Sequence, residues 1–204
     1  MLKLHYLPGA CSLVPHVALA ITGVPYEAVQ VPRDQLKSAA FLALNPLGSV
    51  PVLEDGDFAL SQNTAILAYL DALYPQAALF GKGSVQAQAK ARQWLAFANT
   101  DLHGTFGTIF APNRFIDGEG ETAQIRERAK IRALNLLAVA DEALEGSDYF
   151  SGEFTVADVY VYVILRWADM LNMDWTHLHR LQALYQRVEA HPAVQQALRE
   201  QGLV

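Results

Sequence analysis

The chain has 204 residues, 52% apolar and only 18% charged, which excludes a disordered chain and gives enough length to bury a core without disulfide staples. Its net charge is −6 and its few Lys and Arg are scattered, so nucleic acid and anionic membrane surfaces are excluded as partners, because phosphate binding needs clustered cations. No apolar run reaches the roughly 18 residues of a membrane span. The opening stretch, soon broken by Pro8 and Gly9, reads as a strand entering a turn and not as a signal peptide, so the expected location is cytoplasmic.

Leu2 to Leu7 alternates apolar and polar residues and stops at Pro8-Gly9, as a strand does. Ser12 to Thr22 has helical spacing and is closed by Gly23 and Pro25. A second strand follows over Tyr26 to Val31, and Phe41 to Leu44 is a short helix before the turn Asn45-Pro46-Leu47-Gly48. Pro51 to Glu54 and Phe58 to Leu60 flank Asp55-Gly56, a strong hairpin signal. Ser61 is the expected cap of a helix carrying Ala65, Ile66, Tyr69 and Leu70 on one face. The order strand, helix, strand, helix, strand, strand, helix gives a mixed four-stranded sheet with helices on its faces.

A Pro- and Gly-rich linker over about 75–83 separates this first domain, 1–78, from a second, 84–204, that has helical periodicity only. Its helices are expected over Ser84 to Phe110, Thr122 to Leu144, Val156 to Leu171, Leu178 to Ala190 and Pro192 to Gln201. Thr155 and Asp158 have the spacing of a capping box, with Phe154 before them as a staple. The fold class is therefore α/β plus all-α.

Three segments carry candidate chemistry. Cys11 is the sole cysteine, so neither an internal disulfide nor a cysteine metal site is available. It sits where the first strand meets the first helix, and the helix dipole there is expected to lower a thiol pKa. Ser61-Gln62-Asn63-Thr64 puts hydroxyls, amides and backbone N–H groups at a helix start, which suits a carboxylate as well as plain capping. Val50-Pro51 precedes a strand, where a cis bond and an ordinary trans turn are both open readings.

Pro8-Gly9-Ala10-Cys11-Ser12, Asn45 to Leu53, Leu60 to Ile66, Gln93-Trp94-Leu95 to Leu102-His103, and Phe154 to Asp158 come in the order and at the spacings of glutathione transferases. Over essentially its full length the chain resembles the bacterial beta class, the cysteine-bearing subgroup. The resemblance implies a thioredoxin-like first domain, Pro51 as the family's cis proline, and Val50 pairing its backbone with glutathione. It implies that Gln62 and Asn63 hold the γ-glutamyl end; Asn63 stands where the family has Ser. It assigns Cys11, Ser12 and His103 to the neighbourhood of the glutathione sulfur, and Asp101 to the amine of glutathione on a partner subunit.

Lys37, and after it Arg33, are the candidates for the glycyl carboxylate, and Gly104 replaces a family Lys. Phe106, Phe110, Trp167 and Trp94 are candidates for the acceptor pocket, while Thr155 and Asp158 are read as structural. The resemblance further implies glutathione as co-substrate without a metal, a small hydrophobic electrophile as second substrate, a homodimer, and a role in detoxification. The expected reactions are conjugation and glutathione-dependent disulfide or peroxide reduction. An isomerase, a dehalogenase, a dehydroascorbate reductase or a non-catalytic interaction protein on the same scaffold are the alternatives.

Overall fold

The computed structural model describes residues 1–204. It divides into two compact units, Met1–Lys82 with Glu189–Val204, and Gly83–Val188.

The first unit is built on a sheet of order β2-β1-β3-β4, comprising β1 (Leu2–Tyr6), β2 (Tyr26–Gln30), β3 (Val52–Asp55) and β4 (Phe58–Ser61). β1 runs parallel to β2 and antiparallel to β3, and β3 and β4 form the expected hairpin with Asp55 opposite Phe58. β1 is a central strand, which is why Leu2, Leu4 and Tyr6 are all buried and His5 on the other face is nearly so. α1 (Leu13–Thr22) joins β1 to β2 and ends on Gly23 at φ 70°, a left-handed conformation that glycine adopts without strain. α2 (Ala39–Leu44) and α3 (Asn63–Leu73) complete the thioredoxin-like arrangement.

One expected cap is corrected. Ser61 is the last residue of β4, paired with Val52, and Gln62 is the residue that enters α3, at φ 76°. The ladder holds the Ser61 backbone extended, so it cannot also serve as the helix cap. The turn before β3 depends on Gly48, at φ 59°, where a Cβ would stand 2.6 Å from the Leu36 carbonyl oxygen.

The last residues of the domain expected over 84–204 pack with the first compact unit. α9 (Pro192–Glu200) packs on α1 and buries Ala193, Val194, Ala197 and Leu198. Polar contacts add to this. The Gln201 side chain accepts from Gly9 N–H at 3.0 Å and donates to His16 Nδ1 at 2.9 Å. With Nδ1 accepting, the proton of neutral His16 is on Nε2, which donates to Glu200 Oε2 at 2.7 Å. Tyr26 donates to the same carboxylate oxygen at 2.7 Å. Burial holds the pKa of His16 below its ordinary value.

The second unit is helical: α4 (Val85–Phe97), α5 (His103–Phe110), α6 (Glu119–Ala143), α7 (Val156–Met170) and α8 (His179–Glu189). α7 is its core helix, buried at every position from Val156 to Leu165. The capping box forms. Asp158 Oδ2 accepts from Thr155 N–H at 2.8 Å and from the Thr155 hydroxyl at 2.9 Å, and Oδ1 accepts from Phe150 N–H at 3.1 Å.

The single helix expected over Ser84 to Phe110 is interrupted by a π-helical turn, Ala98–Leu102, across which His103 N–H reaches the Ala98 carbonyl. Around this turn the Thr100 hydroxyl donates to Ala96 O at 2.8 Å and the Thr105 hydroxyl to Asp101 O at 2.7 Å. No helix of the structure is long and apolar enough to cross a membrane.

Candidate functional site

In the first unit the site is assembled where the β1–α1 loop, the start of β3 and the start of α3 meet. The loop is closed by Ala10 N–H to Leu7 O at 3.1 Å. Ser12, fully buried, donates its hydroxyl proton to Leu7 O and accepts from Leu7 N–H, both at 3.2 Å. The Ser12 hydroxyl proton is therefore committed to the loop, and its backbone N–H is the group that acts on the Cys11 sulfur.

Cys11 Sγ donates to the Val50 carbonyl at 3.8 Å, and the Asn63 side-chain amide donates to the sulfur. The expected depression of its pKa is corrected too. Burial pushes the Cys11 thiol up to about 11, outweighing the Asn63 amide and the N–H groups of Cys11 and Ser12, which pull it down. The helix start does stabilise the anion, but in a cysteine only 9% exposed the thiolate loses more from desolvation than it gains from the dipole. No ionised side chain appears among the influences on the sulfur.

The Val50-Pro51 bond is cis, which resolves the reading left open by the sequence. Asn63, the first residue of α3, is buried, while Gln62 before it is exposed. No side chain caps α3, which leaves the positive end of that helix to an anion. Lys37 donates to the Leu47 carbonyl at 2.9 Å and Arg33 lies exposed in the turn Arg33–Lys37.

In the helical unit, His103 Nδ1 is 2.7 Å from the Tyr160 hydroxyl, which in turn donates to Asn99 Oδ1 at 2.9 Å. Its ring lies edge-on to Trp167, with centroids 5.0 Å apart. Burial lowers the His103 pKa, favouring the neutral ring. Trp167 also meets Phe106 at 6.0 Å and Phe110 at 5.5 Å, so the expected pocket aromatics do gather. Phe106 is fully buried and backs the cluster, whereas Phe110 is 43% exposed. Trp94 belongs to another cluster, stacked on Phe150 at 4.5 Å. Asp101 is exposed and accepts from the Thr100 hydroxyl at 2.9 Å.

Three contacts escaped the sequence reading. Asn99 and Tyr160 were not singled out, although Asn99 precedes His103 by four residues, the spacing of side chains that meet on a helix face. The bond from Asn63 to Cys11 links residues far apart in sequence, and the Asn in place of Ser was its one visible sign.

The domain models of glutathione S-transferases match this chain twice, the N-terminal domain over residues 1–72 and the C-terminal domain over residues 123–200. Glutathione S-transferase GST-4.5 of Xanthomonas campestris pv. campestris is 37% identical over 203 residues, 99% of this chain and 100% of its own. Among solved structures, a glutathione-S-transferase from Xylella fastidiosa has a TM-score of 0.94 at 35% identity and covers 100% of both chains. A sphingomonad glutathione S-transferase complexed with glutathione has a TM-score of 0.85 at 35% identity, over 99% of this chain and 100% of its own. Full-length identity of this order, joined to both domain matches and to the shared fold, means that the chain belongs to the glutathione S-transferase family.

Proposed function

We propose that this glutathione transferase binds glutathione on its first unit and uses the bound tripeptide's own thiolate as the nucleophile. The observation that carries the reading is the meeting of Cys11 Sγ, the Val50 carbonyl and the Asn63 amide beside an uncapped helix start. Glutathione pairs its cysteinyl backbone with Val50 ahead of Pro51, as an added strand. Its γ-glutamyl carboxylate takes the positive end of α3 at Gln62 and Asn63, and Lys37 is the candidate for the glycyl carboxylate.

The raised pKa of Cys11 supports giving the attack to glutathione. A thiol at about 11 is protonated near neutrality, so Cys11 acts first as an S–H donor and only secondarily in exchange. In conjugation the glutathione sulfur bonds to the electrophilic carbon and the leaving group departs with its electron pair. In exchange the Cys11 thiolate attacks the glutathione sulfur of a mixed disulfide, the S–S bond breaks, and the released thiolate takes up the proton that Cys11 gave up. The acceptor is a small apolar electrophile resting on Phe110 and Trp167. His103 is the helical unit's proposed contribution to the thiol chemistry, and Asp101 that of a partner subunit in a homodimer. The cytoplasm, where free thiols persist, is the expected compartment.

Calorimetry with glutathione, together with turnover of a chloro-nitrobenzene and of a mixed disulfide, tests this on the wild type and on Cys11→Ala. Binding at millimolar glutathione is expected, with conjugation retained and disulfide exchange lost in Cys11→Ala. Absence of binding overturns the reading, and loss of conjugation with binding intact assigns the attack to Cys11 instead.

A further inference from the structure

We propose that Tyr160 and Asn99 are positioning residues that hold His103 in a single tautomer, with the proton on Nδ1 and the lone pair on Nε2.

A phenol hydroxyl has one proton. Tyr160 gives it to Asn99 Oδ1 at 2.9 Å, so its oxygen meets His103 Nδ1, 2.7 Å away, as an acceptor. Nδ1 therefore carries hydrogen, and in a neutral ring Nε2 is bare. This reverses the preference of a free histidine side chain, whose neutral ring in water holds its proton mainly on Nε2.

The surroundings keep the arrangement in place. Tyr160 is fully buried on α7 and so has little freedom to reorient. The His103 ring is set edge-on to Tyr160, at 6.0 Å and 63°, and to Trp167, at 5.0 Å and 68°. Asn99 lies inside the π-helical turn that ends as His103 begins, so the irregular turn carries the acceptor that orients the relay. Burial disfavours the imidazolium, which would put hydrogen on both nitrogens and remove the lone pair. Nε2 is then a hydrogen-bond acceptor and base, suited to an acidic S–H. A misassigned tautomer would present a donor in its place, unable to take that proton.

The consequence for turnover rests on the proposed glutathione chemistry, whereas the tautomer does not. The test uses the full-length protein with ¹⁵N-labelled histidine. Long-range ¹⁵N–¹H correlation spectra report which ring nitrogen is protonated, with the His103 signals assigned by their loss in His103→Gln. The wild type is expected to show protonated Nδ1 and bare Nε2. Tyr160→Phe removes the acceptor while keeping the ring, and Asn99→Leu frees the Tyr160 proton to donate to Nδ1 without touching His103. Both are expected to move the proton toward Nε2.

In both variants kcat for glutathione conjugation is expected to fall about ten- to a hundredfold, with KM for glutathione within about twofold of the wild type. Circular dichroism and the remaining histidine signals establish that each variant is folded. A wild-type spectrum with hydrogen on Nε2, or an unmoved proton in both folded variants, overturns the relay. A shifted tautomer with unchanged kcat overturns its part in turnover. A wild type with protonated Nδ1 and no glutathione turnover upholds the relay and removes the functional reading instead.

Discussion

Replacing Asn63 by Leu isolates the one side chain that holds the Cys11 sulfur. Leu keeps the branched outline of Asn and cannot admit water to the sulfur, so the burial that pushes the thiol up to about 11 is retained while the amide donor is lost. In the wild type roughly one Cys11 in ten thousand is ionised at pH 7. A hydrogen bond to a charged acceptor is worth about 1.5–3 kcal/mol, so its loss lowers the ionised fraction about ten- to a hundredfold at any pH below the pKa. A more basic thiolate is intrinsically more nucleophilic, with a Brønsted slope of about 0.4–0.5, which recovers nearly half of that on a logarithmic scale. The net expectation is a reaction about three- to twelvefold slower. Since Cys11 is the sole cysteine, every thiol signal is its own. The assay is the rate of reaction with a small pyridyl disulfide from about pH 7 to about pH 10, without glutathione. A rate profile that superimposes on the wild type, or a faster one, refutes the view that Asn63 stabilises the thiolate.

Gln201→Ala removes the donor to His16 Nδ1 and an acceptor for Gly9 N–H; urea unfolding is expected to show a loss of about 2 kcal/mol or more, and an unchanged midpoint would contradict a stabilising role for these two bonds. Asp158→Ala removes two hydrogen bonds from Thr155 and one from Phe150 N–H, and the same measurement at pH 7.5 is expected to lose ~3 kcal/mol; less than ~1 kcal/mol would remove this cluster as a stabilising feature. Acidification is expected to destabilise the fold. Burial lowers the native pKa values of His16, His103 and His191, so the unfolded chain binds more protons as pH falls through about 6.5, the ordinary histidine value. Asp158, pushed up to about 6 by burial, acts in the opposite sense because its native carboxyl takes a proton that the unfolded one does not, but it does so mainly below that pH. The urea midpoint should therefore drop most steeply between about pH 7 and about pH 6, and a rise over that interval would show the sign to be wrong.

What could be read from the sequence was what neighbouring residues decide among themselves. The Asp55-Gly56 hairpin, the Gly23 stop and the Thr155–Asp158 box each depend on a few consecutive residues, and each forms as expected. The rest depends on contacts, near or distant in the chain, that residue type and spacing do not fix. Cys11 stands at a helix start as expected, but its burial reverses the expected direction of its pKa, against the pull of Asn63. Ser12 looked like a free hydroxyl until the loop closed on Leu7. Helical periodicity located α9 but carried no information on which unit it joins, because an apolar face fits any apolar surface offered to it. The π-helical turn leaves the apolar spacing of the segment helical on both sides, so periodicity alone does not reveal it.

The return of Glu189–Val204 to the first unit bears on how the chain is made. The sheet is synthesised before the helical unit, but the strip that covers α1 emerges only after the roughly one hundred residues of that unit. At about 5–20 residues per second, the nascent sheet waits several seconds or more with the surface of α1 open. During that interval the helical unit, contiguous in sequence and rich in local contacts, is the part equipped to fold first. The first unit is thus completed only after the second has been made, and a substitution that weakens the grip of α9 on α1 would lengthen that wait.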